Sequence, residues 1–277
     1  MTGRTLPPGD RQALVGLGLI VLLVGAALAA PWLASHDPAT HVDLAQRQYA
    51  PPSLEHPFGT DFFSRDVLSR VLHGARLSLA IAALSVALSI TLGTVVGLLA
   101  GIAGGWTDGL LMRVVDAALA VPRVFLVLVI VALWPDLGML GLIAVLGLTS
   151  WFDTSRIVRA ETLSVRSRPY VHAAQALGIR RRHVIGRHVL PNVAAPIIVS
   201  ATLGIGQIIL LEAGLSYLGL GVRPPAPSWG QMIADGQAAL RTAPWVALFP
   251  GIAIVVTVLA FSLVGDALRR RLDPRVT

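Results

Sequence analysis

YVHAAQALGIRRRHVIGRHVLPN, Tyr170 to Asn192, is a polar island between two long apolar runs, and its reading decides the rest of the chain. Ala173, Ala174, Ala176 and Leu177 are small or apolar, while Arg180, Arg181, Arg182, His183, Arg187 and His188 supply basic side chains. Pro169 suits the first turn of a helix, where a missing N–H costs nothing. Gly178 suits the left-handed position that closes one. Arg181 to Val189 then forms a second short helical turn, limited by Pro191. The segment reads as two short basic helices meeting at a glycine elbow and lying flat on a membrane surface.

The same residues resemble the loop signature of ABC-importer membrane subunits, in which Glu-Ala-Ala is followed after three residues by Gly and further on by Leu-Pro. Ala173, Ala174, Gly178, Leu190 and Pro191 match it, and His172 stands where the family usually has glutamate. The resemblance implies a coupling helix that seats in a cleft of a separate ATPase subunit. Tyr170, His172, Ala173, Ala174, Leu177, Gly178, Arg180, Arg181, Leu190 and Pro191 are then the docking residues. The bland alternative is an ordinary basic loop held inside by the arginine bias.

Outward from this stretch, composition fixes the class. Of 277 residues, 55% are hydrophobic and 13% charged, against roughly a quarter charged in soluble chains. Mean hydropathy is +0.72. The net charge of +7 accompanies no basic-aromatic platform for reading bases, so nucleic acid is not expected as a partner. All 22 basic residues are arginine. A Walker A loop needs its lysine on the β- and γ-phosphates, so this chain cannot bind ATP through that motif, and any ATPase, with its ATP and Mg, is another polypeptide. With no cysteine, disulfides and thiolate chemistry are excluded. No H-E-x-x-H pair occurs, and the glycines around Ser216 are spaced one residue too far apart for a nucleophile elbow. Neither an enzyme nor a resident cofactor is expected.

Apolar runs divide the rest into an all-α membrane protein with six crossings. Residues 1–11 form a tail and 12–34 the first helix, too long for the apolar core of a signal peptide despite Ala27-Leu28-Ala29. Residues 35–76 are rich in Asp, His and Pro and stay outside hydrocarbon. Within them Asp61, Arg65, Asp66 and Arg70 are spaced for local ion pairs. Residues 77–268 hold five further helices and the coupling loop 156–192, and 269–277 are a basic tail. The second helix, about Leu77 to Ala103, carries Gly93, Gly97 and Gly101 on one face, a close-packing ridge or, alternatively, a hinge. Gly104 to Asp116 reads as a turn, followed by a span that Pro122 kinks and that ends near Trp134. The fourth runs from Met139 to about Ser155, the fifth from Val193 to about Leu220, and the last from about Pro244 to Val264.

Intramembrane polar residues are candidate pathway positions. Arg123 either snorkels to the inner surface or meets an anionic group of the cargo. Gln207, Glu212 and Ser216 make the fifth span the most polar; Glu212 either faces the pathway or partners Arg65, Arg70 or Arg76. With the N-terminus inside, fifteen arginines fall in inner segments and six in outer ones, which places both termini and the Ala-Ala loop in the cytoplasm.

Two further stretches, HPFGTDFFSRDVLSRVLHGARLSL (His56 to Leu79) and EAGLSYLGLGVRPPAPSWGQMIADG (Glu212 to Gly236), are similar to the second permease of dipeptide, oligopeptide and nickel importers. Ser262 stands where that family often has asparagine. The resemblance implies a type I importer permease fold in the bacterial inner membrane, half of a pathway for peptides. It also implies a heterodimer with a second permease, two ATPase subunits and an extracytoplasmic substrate-binding protein. Relatives carrying nickel chelates or glycosides look alike at this level. An ion-coupled secondary carrier is the rival, and six spans without an obvious inverted repeat weigh against it.

Overall fold

The computed structural model describes residues 8–34, 36–38, 47–134 and 136–272, without the side chains of 8–10, 175, 181 and 182. Arg4 and Arg275 of the arginine count lie outside these residues. Among the described residues the chain is helical, with one isolated antiparallel bridge between Thr60 and Asp66. A backbone in hydrocarbon must satisfy its own N–H and C=O groups, and a helix does so locally. The helices are α1 (Pro8–Leu28), α2 (Ala30–Leu33), α3 (Val67–Ala103), α4 (Gly105–Leu119), α5 (Arg123–Leu133) and α6 (Gly138–Leu148). They continue as α7 (Trp151–Arg166), α8 (Pro169–Ala176), α9 (Arg181–Val184), α10 (Leu190–Tyr217), α11 (Trp229–Gly236) and α12 (Trp245–Leu272).

Among the described residues five helical stretches are long and apolar enough to cross a membrane, and α4 with α5, bent by 81° at their break, brings the number to six where the pair counts as one span. Several boundaries differ from the sequence reading. Helix α3, expected as the second crossing from about Leu77, begins ten residues earlier at Val67, where Asp66 caps it: its carboxylate accepts from Ser69 N–H at 2.7 Å. Gly104 and Gly105, with φ +65° and +56°, end α3 and turn directly into α4. Gly104 to Asp116 is thus mostly helix rather than turn, and Pro122 breaks the crossing outright instead of kinking it. The segment from Arg156 to Arg166, read as loop, is the helix α7.

The core of the bundle lies between α3, α6 and α10, around Ile81, Leu146 and Ile208. The most extensive contact is α3 on α7. A Cβ on Gly93 would lie 2.6 Å from Thr154 Cβ, one on Gly97 2.5 Å from Ser155 O, and one on Gly101 2.7 Å from Thr162 Cβ. The glycine ridge is therefore a seat for α7, the packing reading of the sequence. Arg166 donates to the carbonyls of Gly101 (3.3 Å) and Ile102 (3.1 Å), satisfying the C-terminal end of α3. Arg159 grips Asp108 of α4 through two hydrogen bonds of 2.5 and 2.6 Å, a fork matched to a carboxylate.

At the opposite end, residues 47–66 fold over α11 and the start of α12. Phe58 stacks on Phe249 at 3.8 Å, and Trp245 Nε1 donates to Thr60 O at 3.1 Å. Asp61 Oδ2 accepts from Arg65 Nε at 2.7 Å and lies 3.4 Å from Arg70 Nη1; Asp235 Oδ2 lies 3.5 Å from Arg65 and 3.2 Å from Arg70. Asp66 is not paired with Arg70 as its spacing suggests, because capping α3 and binding His56 Nδ1 (3.0 Å) use its carboxylate. Asp61→Ala leaves two buried arginines facing Asp235 alone. Losing one member of a buried pair costs about 3–5 kcal/mol, so thermal denaturation in detergent should show a lower midpoint, and an unchanged one would refute this role.

Candidate coupling elbow and translocation groove

The elbow forms as its residue types require. Helix α8 ends in a left-handed glycine, Gly178 with φ +74°, and Ile179 N–H reaches back to Ala174 O at 3.1 Å while Leu177 N–H binds Ala173 O at 3.0 Å. This closure satisfies carbonyls that would otherwise be orphaned at the helix end. Arg180 immediately precedes α9, its carbonyl accepting from His183 N–H (2.8 Å) and Val184 N–H (3.2 Å).

Pro191 does not stop the second helix. Ile185–Val189 widen into a π-turn and run straight into α10, with Pro191 in its first turn. The wide turn accommodates the ring and the missing N–H. Asn192 Nδ2 donates to His188 O at 2.6 Å, giving that carbonyl a partner.

Valines pin the elbow to the bundle. Val171 and Ala174 of α8 are buried with Val184, Val189, Val193 and Val165, backed by Leu98 of α3 and Ile197 of α10. What remains outside is a small mixed surface: Tyr170, His172, Ala173, Gly178, Ile179 and Arg180 are exposed, and Leu177 is 81% exposed. Leu190 and Pro191 are exposed at the base of α10. Among the expected docking residues whose side chains are described, Ala174 alone turns inward, where a larger side chain would meet the valines. The side chain of Arg181 lies outside the described residues.

The pathway candidates separate into two pairs. Arg123, the first residue of α5 after the Pro122 break, and Gln207 of α10 both line a groove of about 450 Å³ walled by Leu128, Leu211 and Leu215. The same two residues border a second, more polar recess of about 250 Å³ with Ser89, Ser150 and Asp153. Arg123 Nη2 donates to Leu146 O at 3.4 Å, and its Nε is buried without a hydrogen-bond partner. The guanidinium is thus turned inward across the bundle toward α6.

Glu212 and Ser216 lie elsewhere. Glu212 is 1% exposed and faces hydroxyls: Ser216 Oγ donates to it at 2.7 Å and Ser78 Oγ at 3.5 Å. Ser228 Oγ lies 3.4 Å from Ser216 Oγ, and Trp229 N–H donates to Ser78 Oγ at 3.3 Å. The expected arginine partners are absent because Arg65 and Arg70 belong to Asp61 and Asp235, and Arg76 is exposed. This serine box joins α3, α10 and α11. Gly221 and Gly230 press on it so closely that a Cβ would lie 1.9 Å from Ser216 Oγ and 2.5 Å from Ala213 Cα. Sequence reading gave no sign of the partnership, since Ser78 and Ser228 stand 134 residues before and 16 after Glu212.

Comparison with known proteins agrees with this architecture. The family described as binding-protein-dependent transport system inner membrane component matches residues 93–277, and the N-terminal TM domain of oligopeptide transport permease C matches residues 10–52. The dipeptide transport system permease protein DppC of Alkalihalophilus pseudofirmus is 42% identical over 269 residues, covering 96% of this chain and 87% of that protein. A Brucella suis protein named as a peptide permease is 42% identical over 268 residues, with 96% and 88% covered. A second from the same organism, named as a peptide transport system permease, is 44% identical over 270 residues with the same coverage. With its five to six membrane-length helical stretches, its basic elbow and these relatives along nearly its whole length, the chain belongs to the binding-protein-dependent transport system inner membrane components, the multi-pass permeases of ABC importers.

Proposed function

We propose that this chain forms half of the translocation pathway of an ATP-driven importer of di- or oligopeptides and is driven by ATPase subunits docked on its elbow. The observation that carries this reading is the elbow itself, an exposed Leu177 beside a left-handed Gly178 on a base of buried valines. The names of the relatives support peptides as cargo. ATP and Mg then reside on the ATPases, consistent with a chain that has no lysine for a Walker A loop. The arginine count supports both termini and the elbow in the cytoplasm, and an extracytoplasmic binding protein delivering cargo to the other face. A second permease would cover the apolar side of α4 and α5, where Leu110, Val114, Val124, Phe125 and Val129 are exposed.

Closure of the ATPases on ATP moves α8; the valines carry the displacement into α7 and α10, and the glycine ridge passes it to α3. The crossings rock between two states of different affinity for the cargo, with no covalent step in this chain. Arg123 and Gln207 supply the polar groups of the groove, suited to a peptide carboxylate.

The test is uptake by vesicles carrying this permease, its partner permease, the ATPases and the binding protein, with labelled di- and oligopeptides. ATP-dependent accumulation supports the reading. Accumulation driven by an ion gradient without ATP would contradict it, and capture of nickel chelates or glycosides by the binding protein would change the cargo. Arg123→Ala should lower peptide uptake about tenfold while the ATPases stay bound, since a lost charge-assisted hydrogen bond is worth about 1.5–3 kcal/mol. Wild-type uptake would remove Arg123 from the pathway.

A further inference from the structure

We propose that His36, Glu55 and His56 form a binding site for one divalent transition-metal cation of the zinc class, at the end of the bundle remote from the coupling elbow. One ligand atom from each of the three residues lies within 4.8 Å of the other two. Tetrahedral ligands at about 2.0–2.1 Å from zinc sit about 3.4 Å from one another, so an inward shift of about an ångström completes the set. Two imidazoles and one carboxylate, with no thiolate, suit zinc, copper or nickel rather than magnesium or calcium.

The tautomer of His56 points the same way. Its Nδ1 lies 3.0 Å from Asp66 Oδ1 and its Nε2 lies 3.2 Å from Arg47 Nη1. A guanidinium only donates, so Nε2 is the acceptor and the ring proton sits on Nδ1, given to Asp66. A histidine oriented by a carboxylate behind it, its other nitrogen carrying a lone pair forward, is the arrangement that metal-binding histidines adopt. His36 Nδ1 is buried and has no hydrogen-bond partner, and the two imidazole rings lie 4.8 Å apart.

Both segments that bring the ligands are anchored. His56 closes a tight turn, its N–H on Ser53 Oγ and its C=O on Ser53 N–H, and His36 N–H donates to Ser69 Oγ at 3.3 Å. Glu55 is exposed, which gives an ion a way in. The cation now at the cluster is the Arg47 guanidinium, 2.5 Å from Glu55 Oε1. Arg47 therefore acts as the internal competitor that the metal displaces, with water filling the fourth position. The bound ion would clamp the end of α2 to the 53–56 turn and, through Asp66, to the start of α3.

The experiment measures Zn²⁺ binding to the purified, tag-free full chain in detergent by competition with a zinc indicator, with bound metal counted after desalting. One Zn²⁺ per chain is expected, undisturbed by excess Mg²⁺. His36→Ala and Glu55→Gln should each weaken binding at least tenfold, whereas replacing both His183 and His188 with alanine should leave it unchanged. Arg47→Gln should tighten binding, an outcome that a purely structural Arg47–Glu55–His56 contact does not produce. No retained zinc, binding that survives His36→Ala, or an Arg47→Gln variant that binds no better than wild type would each overturn the proposal.

Discussion

Gly178→Val should cut peptide uptake by the assembled importer at least about fivefold while the chain still inserts and the ATPases still hydrolyse ATP. At φ +74° a β-branched residue is strained by about 1–3 kcal/mol. A Cβ there meets nothing within 4 Å, so the cost is conformational and local to the elbow. A loss of that size depopulates the docking geometry about fivefold to 150-fold, because each 1.4 kcal/mol is a factor of ten. Gly178→Asn is the control, since asparagine tolerates the left-handed region; it should retain most of the uptake. Normal uptake by the valine variant, or an equal loss in both, would show that the corner's backbone conformation does not carry the coupling. Uptake at fixed ATPase activity reads the difference.

Gly97→Leu should fail at an earlier stage and leave no stable bundle to couple. Its Cβ alone would stand 2.5 Å from Ser155 O and 2.8 Å from Val158 Cβ, a backbone and a branched side chain that cannot step aside. Overpacking typically costs about 1–3 kcal/mol and occasionally more, and here α7 as a whole must lift from α3. Small residues let transmembrane backbones approach, so the loss falls on the contact that holds the crossings together. Gly18→Leu on α1, where a Cβ has open space, should be harmless. The yield of monodisperse protein and its thermal midpoint in detergent decide the matter. A Gly97→Leu chain as stable as wild type would mean that α3 and α7 do not pack as described.

The crossings were legible because hydrocarbon enforces long apolar runs, and the elbow because glycine and proline act locally. Gly178 could be assigned its left-handed turn from position alone, and the structure closes α8 there. Distant partners decide the elements that local sequence does not specify. The sequence starts the second crossing only near Leu77 because Ser69, Arg70, His73 and Arg76 are polar, yet Asp235, 165 residues away from Arg70, partners Arg70 in the helix that already runs from Val67. The same holds for α7, whose arginines suggest a loop until Asp108 and the carbonyls of α3 receive two of them. Pro191 looked like a stop because a π-turn that absorbs a proline has no residue pattern of its own. Glu212 and Arg123 looked equivalent as intramembrane charges. Only the packing of α3, α10 and α11 places Glu212 in a serine box and leaves Arg123 with Gln207 at the groove.

The chain contains no cysteine, so a single Leu177→Cys on the exposed corner is a unique probe of whether an ATPase sits there. In the assembled importer, a short bifunctional thiol reagent should cross-link that cysteine to an ATPase subunit carrying one cysteine in its docking cleft. ATP should change the yield, and a membrane-impermeant thiol reagent added from outside should leave the site unlabelled. Labelling from outside, or no cross-link to any ATPase under any nucleotide condition, would contradict the account at its centre.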